Sequence, residues 1–106
     1  MCKSKAEPLA PGMKFDASKL RTDLGPAEAI EHLAEVLTFG ASKYGSNNWQ
    51  NLDDAIERYT AALLRHYILW RKGEHLDAES GKPHITHMFC NAMFLDYLVR
   101  KERTDA

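Results

Sequence analysis

Apolar residues recur along this chain at helical spacing in three stretches, and no stretch alternates with the period of two that a half-buried strand requires. The first stretch opens at Gly25-Pro26. Proline is favoured at a first helical position, and Glu28 and Glu31 suit the positive end of the helix dipole. Ile30, Leu33, Ala34 and Leu37 predict its buried stripe, and the turn-forming run Tyr44-Gly45-Ser46-Asn47-Asn48 predicts its end between Gly40 and Gly45. The second opens at Asn51 or Asp53 and carries Ile56, Tyr59, Leu63, Tyr67 and Trp70 before a stop at Lys72-Gly73. Pro83 starts the last, with Ile85, Met88, Phe89, Ala92, Leu95 and Val99 as one stripe. Met93, Phe94 and Tyr97 widen that stripe beyond a single face, which calls for more than one neighbour and favours a helix-mediated dimer. Residues 1–12, with Pro8, Pro11 and Gly12, read as a flexible arm before a domain over 13–106, and Met13 to Leu24 as a short helix or a lid. The expected fold class is all-α.

At 106 residues the chain is one domain whose stability can lean on oligomerisation. With 14 basic against 15 acidic residues and a net charge of -1, it has no long-range field to gather nucleic acid or an anionic membrane, so neither is an expected partner. No apolar run approaches the roughly 20 residues of a membrane span, and Met1-Cys2-Lys3-Ser4-Lys5 is not followed by a signal-peptide core, which predicts a cytoplasmic protein. Cys2 and Cys90 form no CxxC pair, and Cys90 reads as a small core residue.

Candidate chemistry concentrates between Arg65 and Gly81. Glu74 and Asp77 are three apart, which on a helix places both carboxylates on one face, where hard divalent cations take oxygen ligands. Whether Glu74 to Asp77 begins another helical turn or continues the preceding helix after a kink is open in the sequence. A second acidic row, Glu28, Glu31 and Glu35, lies upstream, and two such rows facing each other would form a carboxylate cage. On a wheel turning about 100° per residue, however, those three fall at about 0°, 300° and 340°, while the apolar stripe centres near roughly 190°. The acids therefore share an outer face that a second helix or subunit must cover. His66, His84 and His87 lie in or beside apolar helices and read as core histidines, or as groups that hold carboxylates or contact phosphate. Zinc is disfavoured, because acids outnumber histidines and no cysteine pair supports it. In the loop Lys43-Tyr44 to Asn48-Trp49, Trp49 either plugs the bundle end or, with Tyr44 and Asn48, forms a base pocket. Arg65, inside an apolar helix, calls for a carboxylate or a phosphate.

The runs Phe39-Gly40-Ala41-Ser42-Lys43-Tyr44-Gly45, Asn48-Trp49, Ala62-Leu63-Leu64-Arg65-His66, Trp70, Gly73-Glu74, Asp77, Glu79-Ser80-Gly81, His84 and His87 together resemble the phage-type dATP/dGTP pyrophosphohydrolases, of the MazG-like all-α nucleoside triphosphate pyrophosphatases. The resemblance runs from about Met13 to Val99. It implies a MazG-like bundle of about four helices, assembled as a homodimer or a dimer of dimers. It also implies hydrolysis of a purine deoxynucleoside triphosphate, dGTP or dATP, to the monophosphate and pyrophosphate, an activity that in some phages removes dATP or supplies dGMP towards 2-aminoadenine DNA. Two or more Mg2+ or Mn2+ ions would be held by an ExxE, matched by Glu28 and Glu31, and an ExxD, matched by Glu74 and Asp77. The 42 residues from His32 to Gly73 are a longer separation than is usual there, so Glu31 with Glu35 and Asp54 with Glu57 remain alternative pairs. In this reading Lys43 and Arg65 neutralise the phosphates, Tyr44, Asn48 and Trp49 hold the purine, and His66 and His84 belong to the substrate site. An HD-type phosphohydrolase built on His66, His75 and Asp77 is the rival enzyme, weakened by the lack of an adjacent His-Asp dipeptide. A non-catalytic helical interaction module is the rival from outside enzymes.

Overall fold

In the computed structural model, which describes Gly12 and residues 17–105, three helices carry the chain: α1 (Ala27–Tyr44), α2 (Ala55–Arg71) and α3 (His84–Asp105). The fold is all-α as expected, and no strand occurs among the described residues. Where a short fourth helix was expected before Leu24, the described part holds only a 3₁₀ turn, Thr22–Leu24, while the arm lies outside the described residues apart from Gly12. A second 3₁₀ turn, Asn48–Gln50, joins α1 to α2. No described helix is long and apolar enough to cross a membrane.

The helix limits follow local chemistry. α1 begins after Pro26 and closes on Gly45, whose N–H reaches the Ala41 carbonyl. α2 starts at Ala55, two residues beyond the expected Asp53, because Asp54 adopts a left-handed conformation (φ 52°) and no side chain caps the end. α3 packs chiefly on α2 and also on α1.

All three apolar stripes differ from expectation, and on α2 Tyr67 and Trp70 are exposed while Ile56, Tyr59 and Leu63 are half-buried. On α1 the buried residue is Val36, flanked by half-buried Leu33 and Leu37, whereas Ile30 is 70% exposed and Ala34 also faces outward. On α3 Ile85, Phe89, Ala92 and Val99 are exposed, although Met88 and Leu95 are half-buried. The inward face instead carries His84, His87, Cys90, Asn91 and Phe94. Polar groups win that face because they satisfy one another there: His84 meets Glu74, His87 meets Ser80, and Asn91 Nδ2 donates to the His87 carbonyl. No described buried side-chain polar atom lacks a hydrogen-bond partner. At the far end Trp49 stacks on Phe94 (centroids 4.5 Å, 17°) and meets Tyr97 edge-on, which ties the α1–α2 loop to α3.

Candidate functional site

Between α2 and α3 the chain makes a small antiparallel hairpin, and this segment builds the site. Gly73 ends α2 in a left-handed conformation (φ 102°), with its N–H on the Trp70 carbonyl and the Glu74 N–H on the Leu69 carbonyl. The Asp77 N–H then bonds the Lys82 carbonyl and the His84 N–H bonds the His75 carbonyl, on either side of a Leu76–Pro83 bridge. Gly81 (φ 73°) supplies the reversal, and its N–H returns to the Asp77 carbonyl. Glu74 and Asp77 are therefore not on a helix, and their spacing of three does not put them on a shared helical face.

Each carboxylate has its own partner. Glu74 Oε2 lies 2.6 Å from His84 Nε2, whose ring is wholly buried. Asp77 Oδ2 accepts the Ser80 N–H at 2.8 Å and lies 3.8 Å from His87 Nε2, while Ser80 Oγ sits 2.6 Å from the same nitrogen. His66, from the middle of α2, joins the two histidines. Its Nδ1 is 2.8 Å from His84 Nδ1, and its ring stacks on His87 at 4.4 Å and 5°. Donor atoms of His66, Asp77 and His84 lie within 4.8 Å of one another, as a metal site requires.

The electrostatics suit such a cluster. Burial, and then the neighbouring His87, pushes His66 down to about 4, so the imidazole is neutral at physiological pH. Burial lowers His87 too, against the pull of Asp77. Burial alone would raise the Asp77 carboxyl, but the Ser80 backbone N–H and hydroxyl, helped by His87 and His66, hold it below its ordinary value. Neutral imidazoles and an ionised carboxylate are donors in their ligating forms. Burial pushes the Cys90 thiol up to about 11, which leaves it unreactive.

A cleft of about 750 Å3 runs from this cluster to the loop after α1. Arg65, His66, Asp77, Glu79, His87 and Asn91 line it together with Tyr44, Asn48, Trp49, Tyr59 and Phe94. The structure thus gathers Tyr44, Asn48, Trp49, Arg65, His66 and Asp77 from the expected site, with His84 and Glu74 bonded behind them. Arg65 makes no ion pair among the described residues, so its guanidinium is available to an anion. Lys43 stands at the rim on Glu79 at 2.6 Å, a contact that raises its pKa, and lies over the Tyr44 ring.

Glu28 and Glu31 are not brought into this cleft within the single chain. Both are exposed on α1, and Glu31 lines a separate, more open hollow with Glu35 and Lys82. Glu35 is bonded to Lys82 of the hairpin at 3.2 Å, while Asp54 and Glu57, at the start of α2, are exposed and line neither space. His75 is exposed, with only its carbonyl in the hairpin bonding. The cleft adds Asn91 and Tyr59 to the residues singled out from the sequence. Asn91 had a signal there: it is an amide in the apolar run Phe89-Cys90-Asn91-Ala92-Met93, and it falls on the helical face of His84 and His87.

The family described as dATP/dGTP diphosphohydrolase, N-terminal, matches residues 9–106. A dATP/dGTP diphosphohydrolase of Salmonella phage PMBT28 is 37% identical over 93 residues, covering 88% of this chain and 31% of that protein. The chain thus spans about a third of the length of this curated relative. No solved structure matches it. With nearly its whole length matched and the resembling motifs assembled around one cleft, the chain belongs to the dATP/dGTP diphosphohydrolase N-terminal family.

Proposed function

We propose that this chain hydrolyses a purine deoxynucleoside triphosphate, dGTP or dATP, to the monophosphate and pyrophosphate, as a MazG-like enzyme of phage nucleotide metabolism. The observation that carries this reading is that one cleft is lined both by aromatic rings and by Arg65, His66, Asp77 and Glu79. The name of the phage relative supports the same substrate class.

In this reading the purine packs between Tyr44 and Trp49, and Asn48 reads its edge. Trp49 is already stacked on Phe94, so it meets the base without first being ordered. The triphosphate extends towards α2 and α3. Arg65 takes up phosphate charge, and Lys43, tethered to Glu79 at the rim, swings to the incoming phosphates. Asp77, held by the Ser80 N–H, and Glu79 offer carboxylate oxygens of the kind Mg2+ or Mn2+ prefers, so these donors in the cleft fit one or more such ions. When bound, these ions supply neutralisation of the phosphates and a lowered pKa for water. Glu28 and Glu31 join the reaction only if a neighbouring subunit brings them to a cleft, since their own chain leaves them outside.

A homodimer or dimer of dimers belongs to the same reading. Leu64 (51% exposed), Ile68, Ile85 and Phe89 leave apolar surface on α2 and α3 that a second copy would cover. Sedimentation of the purified protein is expected to give a dimer or tetramer, and a monomer at micromolar concentration would remove this part.

The deciding experiment incubates the protein with each of the four dNTPs and Mg2+ or Mn2+ and resolves the products. Monophosphate with pyrophosphate from a purine substrate is expected. Nucleoside with triphosphate would instead establish the HD-type reaction, and no metal-dependent turnover of any dNTP would leave the interaction-module reading in its place.

A further inference from the structure

The His66–His84 contact asks for more than an oxygen-only cation site. Two Nδ1 atoms face each other at 2.8 Å. Such a contact requires one proton between them or an ion that both can ligate. The far nitrogen of His84 lies 2.6 Å from Glu74 Oε2, the arrangement in which a carboxylate fixes the tautomer of a metal-ligating histidine and leaves its other nitrogen bare. The His66 plane is fixed by its parallel stack on His87, and Asp77 brings a carboxylate oxygen to within 4.8 Å of both rings' donor atoms. Metal–nitrogen bonds of about 2.0–2.2 Å place two adjacent ligand nitrogens about 3 Å apart, so only a small widening of the present pair is needed. His66 and Asp77 line the cleft, so a bound ion would have open positions towards the substrate.

We propose that His66 Nδ1, His84 Nδ1 and the Asp77 carboxylate bind one divalent first-row transition ion, of the type of Mn2+ or Co2+, in preference to Mg2+, with Glu74 acting as the outer carboxylate on His84. Imidazole nitrogens suit Co2+ and its borderline neighbours, and Mn2+, though harder, accepts imidazole beside a carboxylate, whereas Mg2+ keeps to oxygen and water. Glu74 is then a positioning residue, which departs from its expected place among the ligands. The ion's catalytic role rests on the hydrolase reading above, but its binding does not.

The test uses the full chain, stripped of metal and titrated with Mn2+, Co2+ or Mg2+ in the absence of nucleotide. Pulsed EPR of the Mn2+ adduct is expected to show couplings to imidazole nitrogen, and Mn2+ is expected to bind at least about tenfold more tightly than Mg2+. His66→Gln should remove one nitrogen coupling and weaken Mn2+ binding by about 100-fold, while Glu74→Gln should weaken it by about tenfold with both couplings kept. Circular dichroism confirms that each variant is folded, and Glu74→Gln spares the buried ring if replacement of His66 disturbs the helices. Bound Mn2+ with no nitrogen coupling, Mn2+ affinity unchanged in folded His66→Gln, or no Mn2+ binding by the wild type would each overturn the proposal. Mg2+-supported dNTP hydrolysis together with absent nitrogen couplings would sink this inference alone. Nitrogen couplings without any dNTP turnover would sink the hydrolase reading alone.

Discussion

The acidic row of α1 and the acids of the hairpin each set two carboxylates three residues apart, yet the fold treats them differently. Glu28 and Glu31 lie on a regular helix, so their spacing does put them on one face, but that face is open to solvent. Glu74 and Asp77 lie in an irregular segment where the spacing means little. One is bonded to a buried imidazole, the other is pinned by a backbone N–H beside two more. A carboxylate becomes a candidate for chemistry through what fixes it, and the hairpin fixes both Glu74 and Asp77 and half-buries Asp77, while α1 leaves Glu28 and Glu31 open to solvent.

The largest test of that contrast is on turnover. Asp77→Asn is expected to lower kcat/KM for the preferred purine dNTP by on the order of 10³-fold, whereas Glu28→Gln and Glu31→Gln each stay within about threefold. Steady-state kinetics with quantified pyrophosphate release reads both. A loss in Glu31→Gln as deep as that in Asp77→Asn would break the comparison and bring the α1 row into the site through a neighbouring subunit.

A smaller effect should come from the backbone that aims the hairpin. A Cβ at Gly73 would meet nothing within 4 Å, so Gly73→Ala adds no clash and its cost is the strain of holding φ near 102°. About 1–3 kcal/mol is expected from denaturant unfolding. Because the same residue launches Glu74 towards His84, turnover should fall with stability, and a variant that lost stability but kept full activity would mean that the hairpin need not be held in this form.

Much of the scaffold was legible in the sequence, and the hairpin was not, for identifiable reasons. Pro26, Gly45, Gly73 and Pro83 punctuate the helices locally, so the ends could be read within a few residues from chain chemistry alone. Tyr44, Asn48, Trp49, Arg65 and His66, drawn from separate runs of the chain, line one cleft. The hairpin is closed by backbone pairs between residues five and nine apart, Asp77 with Lys82 and His75 with His84, and no apolar periodicity records them. The face of α3 was misjudged because that helix is apolar around most of its circumference. Its orientation was decided by partners elsewhere in the chain, Glu74 and Ser80 for its histidines, which a pattern confined to the helix cannot contain. Ile30 failed similarly: its spacing is right for the α1 stripe, but it stays 70% exposed, and no described helix covers it.

The α2 and α3 histidines beside the hairpin, His66 and His87, should also give the metal-free protein a pH dependence that the α1 row does not. His66 is held down at about 4 in the folded chain against 6.5 as its ordinary value. Between those values the unfolded chain binds the proton and the folded chain does not, so stability is complete above about pH 6.5 and is lost as pH falls towards 4. Thermal unfolding in the presence of a chelator should therefore show Tm falling from pH 7 to pH 5, with a shallower fall in His66→Gln. His87, lowered in the same direction, accounts for the slope that remains. An identical slope in His66→Gln would place the titrating group elsewhere.

The smallest effect expected is at the contact that joins the two regions. Lys82 Nζ donates to Glu35 Oε2 at 3.2 Å, with the side chains 34% and 50% exposed, and so ties the acidic row to the hairpin across open solvent. An ion pair this accessible is screened by water and salt and orders two long side chains, so Lys82→Ala should cost no more than about 0.5–1 kcal/mol in low salt and still less in about 0.5 M NaCl. Turnover should change little, because the hairpin is already fixed from within by its backbone pairs and by Glu74 on His84. If Lys82→Ala instead abolished turnover while the protein stayed folded, the position of α1 against the hairpin would be part of the site, and the two sets of acids would have to be treated as one.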